Sequence, residues 1–143
     1  MTRKSMAAVV VVPVLLALAG CGGSSSPAQV KSGSPHVWQV SEKQKGQVVH
    51  VSVGDTVQVT LHNTYWMLSP VRGNALLPLV SGGPSPGGSA CPNIPGTGCG
   101  VVSQAYHAQH SGTATLRASR TSCGEAMRCV GSAGSWSVTV DVR

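Results

Sequence analysis

From Gly46 the chain alternates: Val49, Val51 and Val53, then Gly54-Asp55, then Val57, Val59 and Leu61, with His50, Ser52, Thr56, Gln58 and Thr60 between them. A period of two puts the apolar residues on one face of an extended strand and the polar ones on the other, so two half-buried strands are expected here. Gly54-Asp55 supplies the turn or edge bend between them. The same phase returns at Ala114, Leu116 and Ala118, and again at Trp136, Val138, Val140 and Val142. Shorter strands are expected at residues 37–40, 65–68 and 102–108, with Gly112 turning the chain into the next one. Between residues 69 and 100 Pro and Gly are too frequent for a central strand; 75–80 can form an edge, and the rest reads as a long loop. About seven short strands at this spacing predict an all-β fold, an immunoglobulin-like antiparallel sandwich, with a small closed barrel as the alternative. Its predicted core is Val49, Val51, Val53, Val57, Val59, Leu61, Leu116, Trp136, Val138 and Val140.

Composition narrows the picture further. Of 143 residues only five are aromatic (Trp38, Tyr65, Trp66, Tyr106, Trp136), 10% are charged, and there are 18 Gly and 9 Pro. Long amphipathic helices with salt-bridged faces need more charge and fewer breakers, so a helical bundle is excluded. The length suits one folded domain.

The amino-terminal segment reads as a processing signal. Arg3 and Lys4 precede an apolar run over residues 6–19, interrupted by Pro13 and shorter than the roughly 20 residues a bilayer span requires. It ends in Leu18-Ala19-Gly20-Cys21, which resembles the lipobox of bacterial lipoproteins. Small residues admit the peptidase, and the Cys21 thiol is the nucleophile for diacylglyceryl transfer; an ordinary signal peptide with a chance Cys is the alternative. Residues 1–20 are thus expected to be removed, leaving Cys21 as the lipidated amino terminus on the outer face of a cell membrane. Two acyl chains meet the requirement for stable anchoring. Residues 21–35 are Gly/Ser-rich, a tether with a reach of roughly 20 Å, and residues 36–143 carry the sandwich. The formal charge is +6, and without Arg3 and Lys4 eight cations face four anions, a net +4 that is scattered along the chain.

Four further cysteines, Cys91, Cys99, Cys123 and Cys129, are an even number in an oxidising compartment and point to two disulfides. Three connectivities are open. Near-neighbour pairing, Cys91 with Cys99 and Cys123 with Cys129, is the simplest, with crossed pairing as the alternative; each short loop would contribute about 2.5 kcal/mol in the chain-entropy model. Neither pair has the C-x-x-C spacing of a zinc site.

Candidate chemistry is sparse. The carboxylates Glu42, Asp55, Glu125 and Asp141 form no pair by spacing. Gly83-Pro84-Ser85-Pro86-Gly87 matches a nucleophile-elbow pattern, but that turn needs a strand before it and a helix after it, which prolines in a Gly-rich segment do not supply. His36, His50, His62, His107 and His110 could bind a metal in principle; His107 and His110, three apart in a strand, face opposite sides, and the Cys-His-Met loop of a copper site is missing. No cofactor-binding motif, phosphate loop or basic aromatic stripe occurs, which disfavours nucleic acid. The sequence therefore points to a binding protein and not an enzyme.

The stretch VVHVSVGDTVQVTLHN followed by Tyr65-Trp66, then PGTGCGVVSQAYHAQHSGTATLRASR, then WSVTVDV, resembles the chagasin-type family of cysteine-peptidase inhibitors over about residues 37–143. The resemblance implies an immunoglobulin-like sandwich that pushes three loops from one end into a papain-like active-site cleft. His62-Asn63-Thr64 precedes Tyr65-Trp66 where the family carries N-P-T-T-G. Gly96-Thr97-Gly98-Cys99-Gly100 corresponds to its Gly-rich second loop, and Arg120, followed by Thr121-Ser122-Cys123, stands where the family has R-P-W. The implied partner-binding residues are Asn63, Thr64, Tyr65, Trp66, Gly96, Thr97, Gly98, Gly100 and Arg120, with the third loop running over 120–127 and Arg128 beside it. Of Tyr65 and Trp66, one is expected to fill the core and the other to reach the partner. That partner would be a papain-like peptidase or another envelope protein. A non-inhibitory structural or ligand-binding envelope module and, more distantly, a His-based metal site are the other readings.

Overall fold

The computed structural model describes residues 33–79, 82–86, 91, 96–124 and 126–143. Cys21, the signal segment, the tether as far as residue 32, and Glu125 lie outside the described residues.

Among the described residues eleven strands follow in chain order: β1 (Val37–Val40), β2 (Val48–Val51), β3 (Thr56–His62), β4 (Met67–Leu68), β5 (Leu76–Pro78), β6 (Gly83–Pro86), β7 (Gly100–Ala108), β8 (Gly112–Ser119), β9 (Ser122–Gly124), β10 (Met127–Arg128) and β11 (Ser135–Val142). Short 3₁₀ turns at Glu42–Gln44 and Gly131–Gly134 precede β2 and β11. One sheet has the order β1-β3-β7-β5, with β6 also on β7; the other is β2-β11-β8-β4; β9 and β10 form a separate hairpin.

Alternation places the core between these two sheets. Val57, Val59 and Leu61 of β3 are fully buried, as are Leu116 of β8 and Trp136, Val138 and Val140 of β11. Trp136 lies opposite Ala118 and Val140 opposite Ala114, so a larger side chain meets a small one, while Val138 lies beside Leu116 as an aliphatic pair. Trp136 also donates its Nε1–H to the Ser41 carbonyl at 3.0 Å. That bond ties β11 to the first 3₁₀ turn, whose start Ser41 and Gln44 cap reciprocally.

The expected sandwich is present, with four differences. It is not wholly antiparallel: β1 runs parallel to β3, and β2 parallel to β11. Val53 is 49% exposed and outside the core, because β2 stops at Val51. Gly54 then adopts φ +98° and the Asp55 N–H closes a turn on the Ser52 carbonyl at 3.0 Å, which breaks the alternating phase. Val49 is only partly buried, since β2 is an edge strand. The segment read as loop carries β6 as well as β5. Pro84 and Pro86 are tolerated there because β6 pairs on one side only, with β7; it is an edge strand, and not the strand-to-helix turn of a nucleophile elbow.

Parallel β1 is held through one carboxylate. Asp55 is 7% exposed and accepts the His36 N–H at 3.0 Å, the Trp38 indole N–H at 2.8 Å and the Ser52 N–H at 2.8 Å. Burial pushes its carboxyl up, but the His36 and Ser52 amides, the Trp38 indole and the neighbouring His36 imidazole outweigh burial and hold it below the ordinary 3.8.

Candidate protein-binding loop end

β3 and β8 finish, and β7 and β11 begin, at the same end of the sandwich, as the pairings of His62 with Val101 and of Ser135 with Ser119 require. The three connections singled out in the sequence therefore emerge together.

The first is a tight turn. Asn63 sits at φ +98°, a region that Asn tolerates better than other side chains because its amide can bond locally. Its Oδ1 accepts the Tyr65 N–H at 2.8 Å. This turn folds Trp66 inward, to 5% exposure, where its Nε1–H donates to the His62 carbonyl at 3.1 Å. Tyr65 stays half-buried, so Trp66 is the one of the two aromatics that fills the core. The Tyr65 hydroxyl, however, is engaged within the chain: it donates to the Gly96 carbonyl. Tyr65 thus braces the second loop.

That second loop is zipped to the first by main-chain bonds. The Thr64 N–H donates to the Gly98 carbonyl and the Asn63 N–H to the Gly100 carbonyl, both at 2.8 Å. Gly98 has φ +64°, and a Cβ there would lie 2.6 Å from both Asn63 Oδ1 and Tyr65 Cε2. Both neighbours are fixed by their own hydrogen bonds and cannot withdraw freely. Gly98→Ala is therefore expected to part the two loops, with about 1–2 kcal/mol from the left-handed backbone alone; a lowered thermal midpoint together with lost partner binding is the predicted pair of readouts. Unchanged binding would show that the close approach is immaterial.

The third connection supplies charge. The Arg120 guanidinium carbon lies 4.4 Å from the centroid of the Trp66 ring, a cation–π stack, and its Nε–H reaches the Ala133 carbonyl at 3.3 Å. Beyond it the β9–β10 hairpin is closed by Cys123–Cys129, with Cα atoms 4.9 Å apart, and presents Met127, 61% exposed, beside exposed Arg128. The other disulfide joins Cys91 to Cys99, Cα atoms 5.6 Å apart. Near-neighbour pairing thus holds for both bridges.

Residues of all three connections line an open groove of about 620 Å³, with His62, Asn63, Thr97, Gly98, Cys99 and Arg120 among its walls. Among its described lining residues Arg120 is the one charged side chain apart from any charge on His62. The Glu42 carboxylate, 3.1 Å from His62 Nδ1 and also accepting the His62 N–H, pins the rim. Sequence reading did not link Glu42 to His62, because the contact is made across the fold and no local spacing announces it.

Other candidate residues fall elsewhere. His50 pairs with Asp141 at 3.0 Å, and Asp141 also accepts from Arg143. The Arg143 and His50 bonds hold the Asp141 carboxyl below its ordinary value. Among the described residues no three His, Cys, Asp or Glu side chains gather closely enough to hold a metal ion.

No family model and no curated protein matches the sequence. Among solved structures, the chain is similar to the cysteine protease inhibitor EhICP2 from Entamoeba histolytica, with a TM-score of 0.55 at 12% identity over 78% of this chain and 99% of that one. It is also similar to amebosin, known from a solution structure, with a TM-score of 0.51 at 15% identity over 76% of this chain and 99% of the other. At these identities the likeness is one of fold. The chain has the β-sandwich architecture that a cysteine protease inhibitor also uses.

Proposed function

We infer that this chain is a non-enzymatic binding protein that inhibits a papain-like cysteine peptidase through its loop end, and that Cys21 anchors it by lipid to the outer face of a cell membrane. One observation carries the binding reading. Three connections remote in sequence are cross-braced into a single groove by the Asn63–Gly100, Thr64–Gly98 and Tyr65–Gly96 bonds and by the Arg120–Trp66 stack. Such bracing lowers the ordering cost of recognition. Aromatic and Arg side chains are the usual anchors of interfaces, since they bury area or several donors with few rotatable bonds. The fold shared with EhICP2, a cysteine protease inhibitor, supports the partner class, and the order of Arg3-Lys4, apolar run and Leu18-Ala19-Gly20-Cys21 supports the anchor.

The test is a panel of papain-like peptidases assayed with the oxidised protein and with Arg120→Glu. Reversing that charge is expected to weaken inhibition at least ten-fold, while stability falls only by about 0.5–1 kcal/mol, the worth of a half-exposed cation–π contact. Equal inhibition by both proteins would remove Arg120 from the site. Failure to inhibit any peptidase would favour the second reading, a non-inhibitory envelope binding module, which the short Asn63 turn supports: it lacks the length of the family's first loop. Mass spectrometry of the mature amino terminus decides the anchor, and an unmodified Cys21 would overturn it.

A further inference from the structure

A second recess lies apart from the loop-end groove, on the flank where the two sheets separate. It is a cleft of about 440 Å³, walled on one side by Trp66, Leu68 and Val71 and on the other by Val102 and Tyr106. Among the described residues that line it, none is charged. Leu68 and Val71 pack against the core while staying partly open, so the walls are continuous with the hydrophobic interior.

Tyr106 sets this cleft apart from an ordinary surface fold. Its side chain is 3% exposed, yet its hydroxyl has no hydrogen-bond partner among the described residues. A buried phenol normally finds one. Nor is the oxygen a sealed orphan, because no described side-chain polar atom is both buried and unpaired, and Tyr106 lines the cleft. Burial pushes the phenol above its ordinary 10.0, so it stays a donor across the physiological range.

We propose that this cleft binds a small uncharged molecule with an apolar body and one oxygen or nitrogen acceptor, which takes the hydrogen bond of Tyr106. The walls supply the apolar contact and exclude an ion, which would lose its hydration against them without a counter-charge. The volume falls within the ~300–1,000 Å³ of small-molecule sites. Trp66 borders the cleft and also carries Arg120, so an occupant would touch the residue that supports the loop end. The site does not depend on the peptidase reading.

Fluorine NMR titration of the oxidised full chain tests it, with 4-fluorobenzyl alcohol and 4-fluorotoluene as probes. The alcohol is expected to give a saturable shift. Tyr106→Phe, which removes one oxygen and keeps the packing, should weaken the alcohol roughly two- to ten-fold, the worth of one neutral hydrogen bond, and leave the toluene unchanged. Val71→Trp, which fills the cleft from a partly open wall, should abolish both. Three results would overturn the proposal: no saturable shift, so that the cleft holds only water; equal binding of the alcohol to wild type and Tyr106→Phe; or binding that survives Val71→Trp.

Discussion

Replacing Trp136 by Ala is expected to lower the unfolding free energy by about 3–5 kcal/mol, the range for truncating a large buried aromatic. Trp136 is 2% exposed and sits opposite Ala118, whose side chain is too short to fill the space it leaves. Its indole N–H also satisfies the Ser41 carbonyl. Trp136→Phe separates the two contributions, since it keeps much of the volume and loses the hydrogen bond; it should cost about 1–3 kcal/mol, from the smaller ring and one lost hydrogen bond, while the Ser41 carbonyl keeps the Gln44 N–H at 3.2 Å. Urea unfolding with an unchanged m-value is the measurement. A loss below about 1.5 kcal/mol for the Ala variant would mean that the core does not close around this residue.

Asp55→Ala should rank beside it, at about 3 kcal/mol near neutral pH, because three N–H donors lose a charged acceptor at once. His36 and Trp38 are exposed enough for water to replace part of the loss, which keeps the figure below the sum of three charged bonds. The pH dependence has a definite sign. The folded carboxyl titrates below the ordinary 3.8, so the unfolded chain binds the proton more readily and the stabilisation is fully present above that value. It fades as the pH falls below 3.8 and through the folded pKa. Wild type and Asp55→Ala should therefore converge in stability in strong acid, and a gap that stays constant from pH 7 down to pH 2 would show that the carboxylate charge does not hold β1.

Much of the fold was legible because alternation is a strong local signal. β1 matches its expected bounds, and β3, β8 and β11 carry their apolar residues inward as their phase requires. Val53 escaped because a period of two continues through a turn on paper; only the backbone of Gly54 reveals the break. β6 escaped because proline statistics argue against a strand, and they do not apply to a strand paired on one side. The β9–β10 hairpin is too short for any period to show.

At the loop end, residue types were readable and partnerships were not. Asn63, Gly98 and Arg120 stand out as turn former, permissive residue and cation. That Tyr65 reaches Gly96, or that Arg120 lies on Trp66, depends on which strand ends meet, 31 residues apart in the first case. The parallel pairings of β1 and β2 were likewise hidden, since the direction of a strand leaves no mark on its own alternation.

The two disulfides span separations of only 8 and 6 residues, and each lies within a single connection; neither joins one sheet to the other. Cohesion of the sandwich and contour of its rim therefore have separate physical sources, buried aliphatic and aromatic contacts for one and covalent loops for the other. Among the described residues, exchanges inside either ring act on the rim and not on the contacts that hold the sheets together, save at Gly98, where a Cβ would meet Asn63 and Tyr65. Such a scaffold can acquire a new target by exchanging a few rim residues, without first having to regain the ability to fold.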